Sequence, residues 1–301
     1  MYVRFVFASL LALLAASCCM LAGCKNDVAH GHGHEHDATV DDLDAGSADA
    51  PDAAALHAWH TLYESRWSVE PGHEDMPDTE FVAERDYTIT AIRAIAPVGT
   101  HHVGLLGAGV THNNMFTAPV GAGAFTFPKG IGLRIKKGDD MYLELHLINV
   151  TDEAIKGVSG LEIQETADPD VHVANVLTAA KLSLDLPPGE SHADGVCTLT
   201  YDQTIFAVAP HMHALGVHLK TWIERKSGGS DVLYDQDFDF DRQSYNLIDP
   251  IEAKKGDKIR VECTWNNTTD HHVTWGGAAT SEMCQSMIYR YPLGDGNFCD
   301  Q

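Results

Sequence analysis

Residues 139–150 alternate without a break: Met141, Leu143, Leu145 and Leu147 fall on one side of an extended chain, and Tyr142, Glu144, His146 and Ile148 on the other. The same two-residue period predicts strands over 80–95, where Thr88, Ile89, Thr90 and Ile92 favour extended backbone, and over 127–135, 195–200, 205–210, 217–225 and 258–266. Turn chemistry separates them at Lys137-Gly138-Asp139, Leu186-Pro187-Pro188-Gly189-Glu190 and Lys226-Ser227-Gly228-Gly229. No segment of convincing length carries a helical period. The pattern therefore predicts an all-β fold of two tandem antiparallel β-sandwich, jelly-roll-like domains. No clean linker divides them, and the boundary is expected near 173–181, giving an N-terminal domain over 57–177 and a C-terminal domain over 178–301. The aromatic residues Trp59, Tyr63 and Trp67 mark where the chain begins to pack.

Ahead of that body the pattern changes character. Residues 1–24 hold one positive residue, Arg4, an uncharged apolar run over 5–16, and small residues before a cysteine, the make-up of a secretion signal. Leu21-Ala22-Gly23-Cys24 resembles the bacterial lipoprotein processing box, in which the cysteine becomes the lipidated first residue. The body is thus expected to be exported and lipid-anchored in the cell envelope through Cys24; the alternative is an uncleaved anchor, because 5–24 is just long enough to span a bilayer. Residues 25–56 contain His30, His32, His34 and His36 and then an Ala/Asp-rich run. With almost no aromatic or β-branched residues, this stretch reads as a disordered tether. Its alternate histidines suit loose chelation for metal scavenging or delivery, or are a plain solvated spacer.

The chain has 301 residues, of which 44% are hydrophobic, ample for packed cores. Its formal charge of −23 argues against nucleic acid or anionic lipid as a partner, since phosphates are bound by basic patches. A monomer is expected. Beyond the signal lie Cys197, Cys263, Cys284 and Cys299, an even number suited to an oxidising compartment, with three disulfide pairings open.

The candidate chemistry is metal binding. Pro210-His211-Met212-His213 places two imidazoles two residues apart, where a strand would send both to one face. Glu282-Met283-Cys284 puts a thioether on what reads as a further strand, and a His, His, Met set is soft enough for Cu(I). Upstream, His101 and His102 are adjacent, so they can share one ion only if the backbone bulges or the ring nitrogens nearer the backbone bind. His146 sits on the less apolar side of its strand, where a ligand is expected.

Together these residues resemble the copper type II, ascorbate-dependent monooxygenases, over a region running from about Glu80 to the C-terminus. Thr100-His101-His102-Val103-Gly104-Leu105-Leu106 is similar to the family's His-His-Met segment, His146 to its third histidine, Pro210–Gly216 to its H-x-H segment, and Met283 to its methionine ligand. The resemblance implies two coppers per chain. One, on His101, His102 and His146, would accept single electrons from ascorbate or an equivalent reductant; the other, on the catalytic set His211, His213 and Met283, would meet O2 and hydroxylate a C–H bond of a small-molecule substrate. It also implies disulfides Cys197–Cys299 and Cys263–Cys284.

The departures bear on substrate. Where the family's peptide-amidating members carry an arginine two residues before H-x-H, this chain has Ala209; where they carry an asparagine and a tyrosine after the methionine, it has Gln285 and Met287. Arg225, Arg242 and Arg290 are the arginines that could stand in for the missing one. His112, His172, His192, His218, His271 and His272 match no ligand position and are expected at the surface or behind the ligands. The alternative to an enzyme is an envelope protein that buffers or delivers copper without turnover.

Overall fold

The computed structural model describes residues 56–107, 113–119, 121–294 and 298–300. The signal, Cys24, the tether histidines and His112 lie outside the described residues, and all that follows concerns the unit Ala50–Gln301. The regular structure of the described residues is almost entirely strand, arranged as mainly antiparallel sheets stacked in pairs, with His172–Val173 and Phe298–Asp300 added in parallel.

In the first pair, one sheet runs in the order His60–Val69, Ile155–Glu165, Tyr87–Ile95, Ile131–Ile135, His172–Val173. It faces a second sheet ordered Glu74–Asp75, Asp140–Ile148, Thr100–Gly107, Asn113–Pro119. Met141, Leu143, Leu145 and Leu147 enter the core between them, as their alternation requires, together with Ile89, Ile92, Leu133, Leu161 and Ile163. Trp67 closes one end, its indole N–H donating to Ser159 Oγ at 2.8 Å, and Tyr63 stacks on Phe81 at 4.2 Å between ring centroids.

Residues 80–95 are not one strand. Asp78–Val82 pairs with Asp140–Ile148 and Tyr87–Ile95 pairs in the opposite sheet, so the chain changes layers between them. Polar anchoring makes the break: Ala83 N–H donates to Asp139 O at 2.9 Å, and Arg85 pairs with Glu165 at 2.6 Å.

In the second pair, the sheet Asn246–Ala253, Gln203–His211, Gln285–Tyr291, Asn175–Ala180, Phe298–Asp300 packs on Gly189–Thr198, Lys258–Asn267, Gly216–Glu224, Ser230–Asp237. The stretch 205–210 is apolar at every position rather than alternating. The structure supplies the reason: Ile205 and Val208 enter this second core while Phe206, Ala207 and Ala209 join the first, so the strand is buried on both faces. Asn175–Ala180 behaves likewise, with Val176 in one core and Leu177 in the other. The hairpin at Lys226-Ser227-Gly228-Gly229 closes with Arg225 N–H on Gly229 O at 3.0 Å, and Gly228 and Gly229 take φ of 95° and 87°, where side-chain-bearing residues are strained. Cys197 is joined to Cys299 and Cys263 to Cys284.

Candidate metal centre

Thr100–Gly107 pairs antiparallel with Asp140–Ile148, and the ladder slips where it begins: Thr100 is opposite Leu147, but His102 is opposite His146. His101 is the extra residue of this bulge. Neighbours on a regular strand face opposite ways, and the bulge turns His101 and His102 toward the same place. Ring centroids lie 4.8 Å apart for His101 and His146, 5.0 Å for His102 and His146, and 5.9 Å for His101 and His102. One nitrogen from each ring comes within 4.8 Å of the other two.

Hydrogen bonds decide which nitrogens these are. His102 Nε2–H donates to Glu144 Oε1 at 3.0 Å and His146 Nε2–H donates to Glu74 Oε1. A carboxylate accepts, so the proton sits on Nε2 and the lone pair on Nδ1 in both rings. His146 Nδ1 and both nitrogens of His101 are buried with no partner. An orphaned buried polar atom costs about 1–3 kcal/mol. One lone pair each from His101, His102 and His146, two of these rings held by carboxylates, fits a cation that takes all three. Burial, then the rings of His146, His102 and His213, push the His101 pKa down to about 4, and burial and His102 lower that of His146 against the pull of Glu74. Both rings are thus neutral at pH 7, as ligands must be.

The second set forms differently from the strand geometry that its spacing suggests. The strand Gln203–His211 ends at His211, and Met212 and His213 lie beyond it. Met212 is fully buried in the second core, and Gly216 leaves room for it: a Cβ there would meet the Met212 methyl carbon at 2.7 Å. With Met212 held in the core, the rings of His211 and the buried His213 come together, their centroids 5.4 Å apart. His211 Nδ1–H donates to Gln243 Oε1 at 2.8 Å, and that amide is oriented by its own Nε2 donating to Phe240 O at 3.1 Å. His213 Nδ1–H donates to Ser281 O at 2.9 Å. Each ring keeps a lone pair on Nε2. Burial, then the His213 ring, pushes His211 down to about 3.

Met283 precedes the strand Gln285–Tyr291 rather than lying on it, and is half-buried. Glu282 sets its place. This fully buried carboxylate accepts the backbone N–H of His213 at 3.0 Å, of Leu215 at 2.7 Å and of Met283 at 3.2 Å, and the Trp265 indole N–H at 2.9 Å. One acid therefore ties the H-x-H segment to the methionine segment, and the Cys263–Cys284 bond holds the next residue. Sequence reasoning gave Glu282 no role. Its only signal was an acid set directly before a candidate soft ligand and a cysteine.

The two sets share one cavity of about 380 Å³, lined by His102 and Glu144 on one side and by His211, Met283, Gln285 and Met287 on the other, with Asn114, Thr117, Thr178 and Trp275 between. Phe240 stacks on His101 at 4.9 Å between centroids and meets His213 edge-on at 6.3 Å. Among the described residues, no lysine or arginine lines the cavity. Arg225 is taken by Asp231 and Asp257, Arg290 is buried against Gln203 and Asn175, and Arg242 points to solvent. Ala209 is buried in the first core opposite Met287. Of the other histidines, His172 stacks on Tyr291, His218 pairs with Asp235, and the exposed His271 and His272 bond Asp270 and Asp185.

Fold and site together define an all-β protein with two histidine-based sites facing one cavity. Residues 171–301 match the C-terminal domain of the copper type II ascorbate-dependent monooxygenases. It is 30% identical over 201 residues to DBH-like monooxygenase protein 1 of Gallus gallus, covering 59% of this chain and 33% of that protein. It is 26% identical over 201 residues to tyramine beta-hydroxylase of Caenorhabditis briggsae, covering 60% of this chain and 34% of the relative. DBH-like monooxygenase protein 2 of Mus musculus is 26% identical over 196 residues, with 58% and 32% covered. The chain thus spans about a third of the length of the curated relatives it matches.

Proposed function

We propose that this chain is a monooxygenase that holds two coppers and hydroxylates a C–H bond of a small, neutral or weakly polar molecule, using O2 and ascorbate or another one-electron donor. The observation that carries the reading is the placement of lone pairs. Four rings have one nitrogen fixed by an acceptor and the other left free, and His101 has no partner on either nitrogen; the rings of His101, His102 and His146 cluster at one point and those of His211 and His213 at another, with His102, His211 and Met283 lining one cavity.

His101, His102 and His146 would hold one ion through nitrogen alone; His211 and His213 would hold the other with the Met283 thioether, a soft donor that favours Cu(I). Copper so bound supplies one-electron transfer and oxygen chemistry. The protein's part is positional. Glu144, Glu74, Gln243 and the Ser281 carbonyl fix ring tautomers and planes, and Glu282 and the adjacent disulfide restrict where the Met283 sulfur can go. Gln285, Met287, Thr178 and Asn114 give the substrate apolar surface and neutral polar groups, with no lysine or arginine among the described residues of the lining to hold a carboxylate. The body is further proposed to be exported and anchored through lipidated Cys24, with no nucleic-acid partner.

The test is a screen of small neutral metabolites for a copper- and ascorbate-dependent mass gain of one oxygen. One or more hydroxylated products are expected. Stoichiometric copper with no turnover on any substrate would favour the buffering or delivery role instead.

A further inference from the structure

We propose that Glu74 is a positioning residue that couples the two centres: one carboxylate oxygen holds His146 of the three-histidine cluster and also the loop leading into Met283. The inference rests on the two-centre reading above and assigns this chain's own link between the centres.

Glu74–Asp75 pairs with Asp140–Ile148, Glu74 opposite Ile148 and Asp75 opposite Leu147. That register sets Glu74 diagonal to His146, within reach of its Nε2. The same Oε1 accepts the backbone N–H of Ala279 at 2.9 Å, although the two residues are 205 apart in sequence. Ala279 belongs to a loop closed on itself by Ser281 N–H to Ala278 O at 2.9 Å and Glu282 N–H to Thr274 O at 3.0 Å. From this loop the Ser281 carbonyl orients His213, and the chain continues directly into Glu282 and Met283. A second contact reinforces the first: Met76 packs beside Gly277, where an added Cβ would sit 3.7 Å from the Met76 sulfur.

The consequence is mechanical. With an ion held in part by His146, the ring and its Nε2–H direction would be fixed, and through them the Glu74 carboxylate and the loop leading to His213 and Met283. Coupling of this kind is reciprocal, so an ion at either centre favours binding at the other by the same factor. The edge strand Glu74–Asp75 is two residues long and exposed, so its pairing with Asp140–Ile148 carries Glu74 to the rim of the cluster without burying it.

The test uses the full chain and two variants, Glu74→Ala and Glu74→Gln. Amide hydrogen exchange at Ala279 is measured without metal, and Cu(I) affinity at the sulfur-bearing centre by chelator competition, with the Cu–S signal in X-ray absorption identifying that centre. Glu74→Ala is expected to reduce Ala279 protection and weaken Cu(I) binding at this centre, each by about tenfold, with no ligand altered. Glu74→Gln, whose amide oxygen still accepts an N–H, restores the protection. Unchanged protection or unchanged Cu(I) affinity in Glu74→Ala overturns the proposal. Failure of the two-centre reading is distinguishable, because it shows as a missing Cu–S signal in the unmutated chain, and that result removes this proposal with it.

Discussion

At Glu282 three backbone N–H groups and an indole N–H converge on a carboxylate with no exposure, so a change there strands donors that have no water to turn to. Glu282→Gln keeps the shape but aims an NH2 at groups that donate, and is expected to cost about 2–4 kcal/mol of stability, one or two lost charge-assisted bonds. Urea denaturation reads it directly, and an unchanged midpoint would mean the carboxylate is dispensable. Met283→His replaces a soft ligand by a harder one; copper should stay bound while oxygen-dependent turnover falls steeply, whereas unchanged turnover removes Met283 from the reaction. The depressed histidines give a pH signature. Unfolded, His101 and His211 titrate near 6.5, and folded they do so near 4 and 3. Between those values the unfolded chain binds more protons, so the stability of the metal-free protein is full above about pH 6.5 and falls as pH drops through the window toward 3–4. A urea midpoint that is flat from pH 7 to 4 would contradict the neutral, buried rings.

The strands that alternate cleanly were legible because one face of each is buried: Met141, Leu143, Leu145 and Leu147 mark the core as written. Elements that depart from that rule were not. The 205–210 run is buried on both sides, and 80–95 is cut where Ala83 and Arg85 find partners in different layers. The adjacency of His101 and His102 stated that a bulge was needed, but the register slip opposite Leu147 and His146 is a property of two strands together. His211 and His213 converge for another reason than strand alternation, because Met212 is held in the core at the strand's end. The residues behind the candidate ligands, Glu74, Gln243 and Glu282, were silent in the sequence since each acts on a group far along the chain. At this scale the Cys263–Cys284 bond closes a loop of 21 residues beside Met283, and its replacement by two alanines is expected to cost about 3 kcal/mol. Thermal unfolding checks the cost, and a loss well under 1 kcal/mol would show that packing alone holds the segment.

Across the described body the sheet that contains Gln203–His211 serves two cores at once, and Thr100–Gly107 and Gln203–His211 both reach a common cavity. A cavity with Glu144 and, among the described residues, no lysine or arginine leaves a terminal carboxylate without a guanidinium or ammonium partner, so glycine-extended peptides should not be hydroxylated even with copper and ascorbate saturating. Efficient turnover of such peptides would mean that an arginine moves into the site. The central claim is that the two histidine sets of the folded body each hold a copper, without help from the histidines of residues 30–36. Metal analysis of protein lacking residues 1–55 tests it most directly. Two coppers per chain, both with ordinary type II spectra as Cu(II) because no thiolate is a ligand, is the predicted result; one copper or none would contradict it.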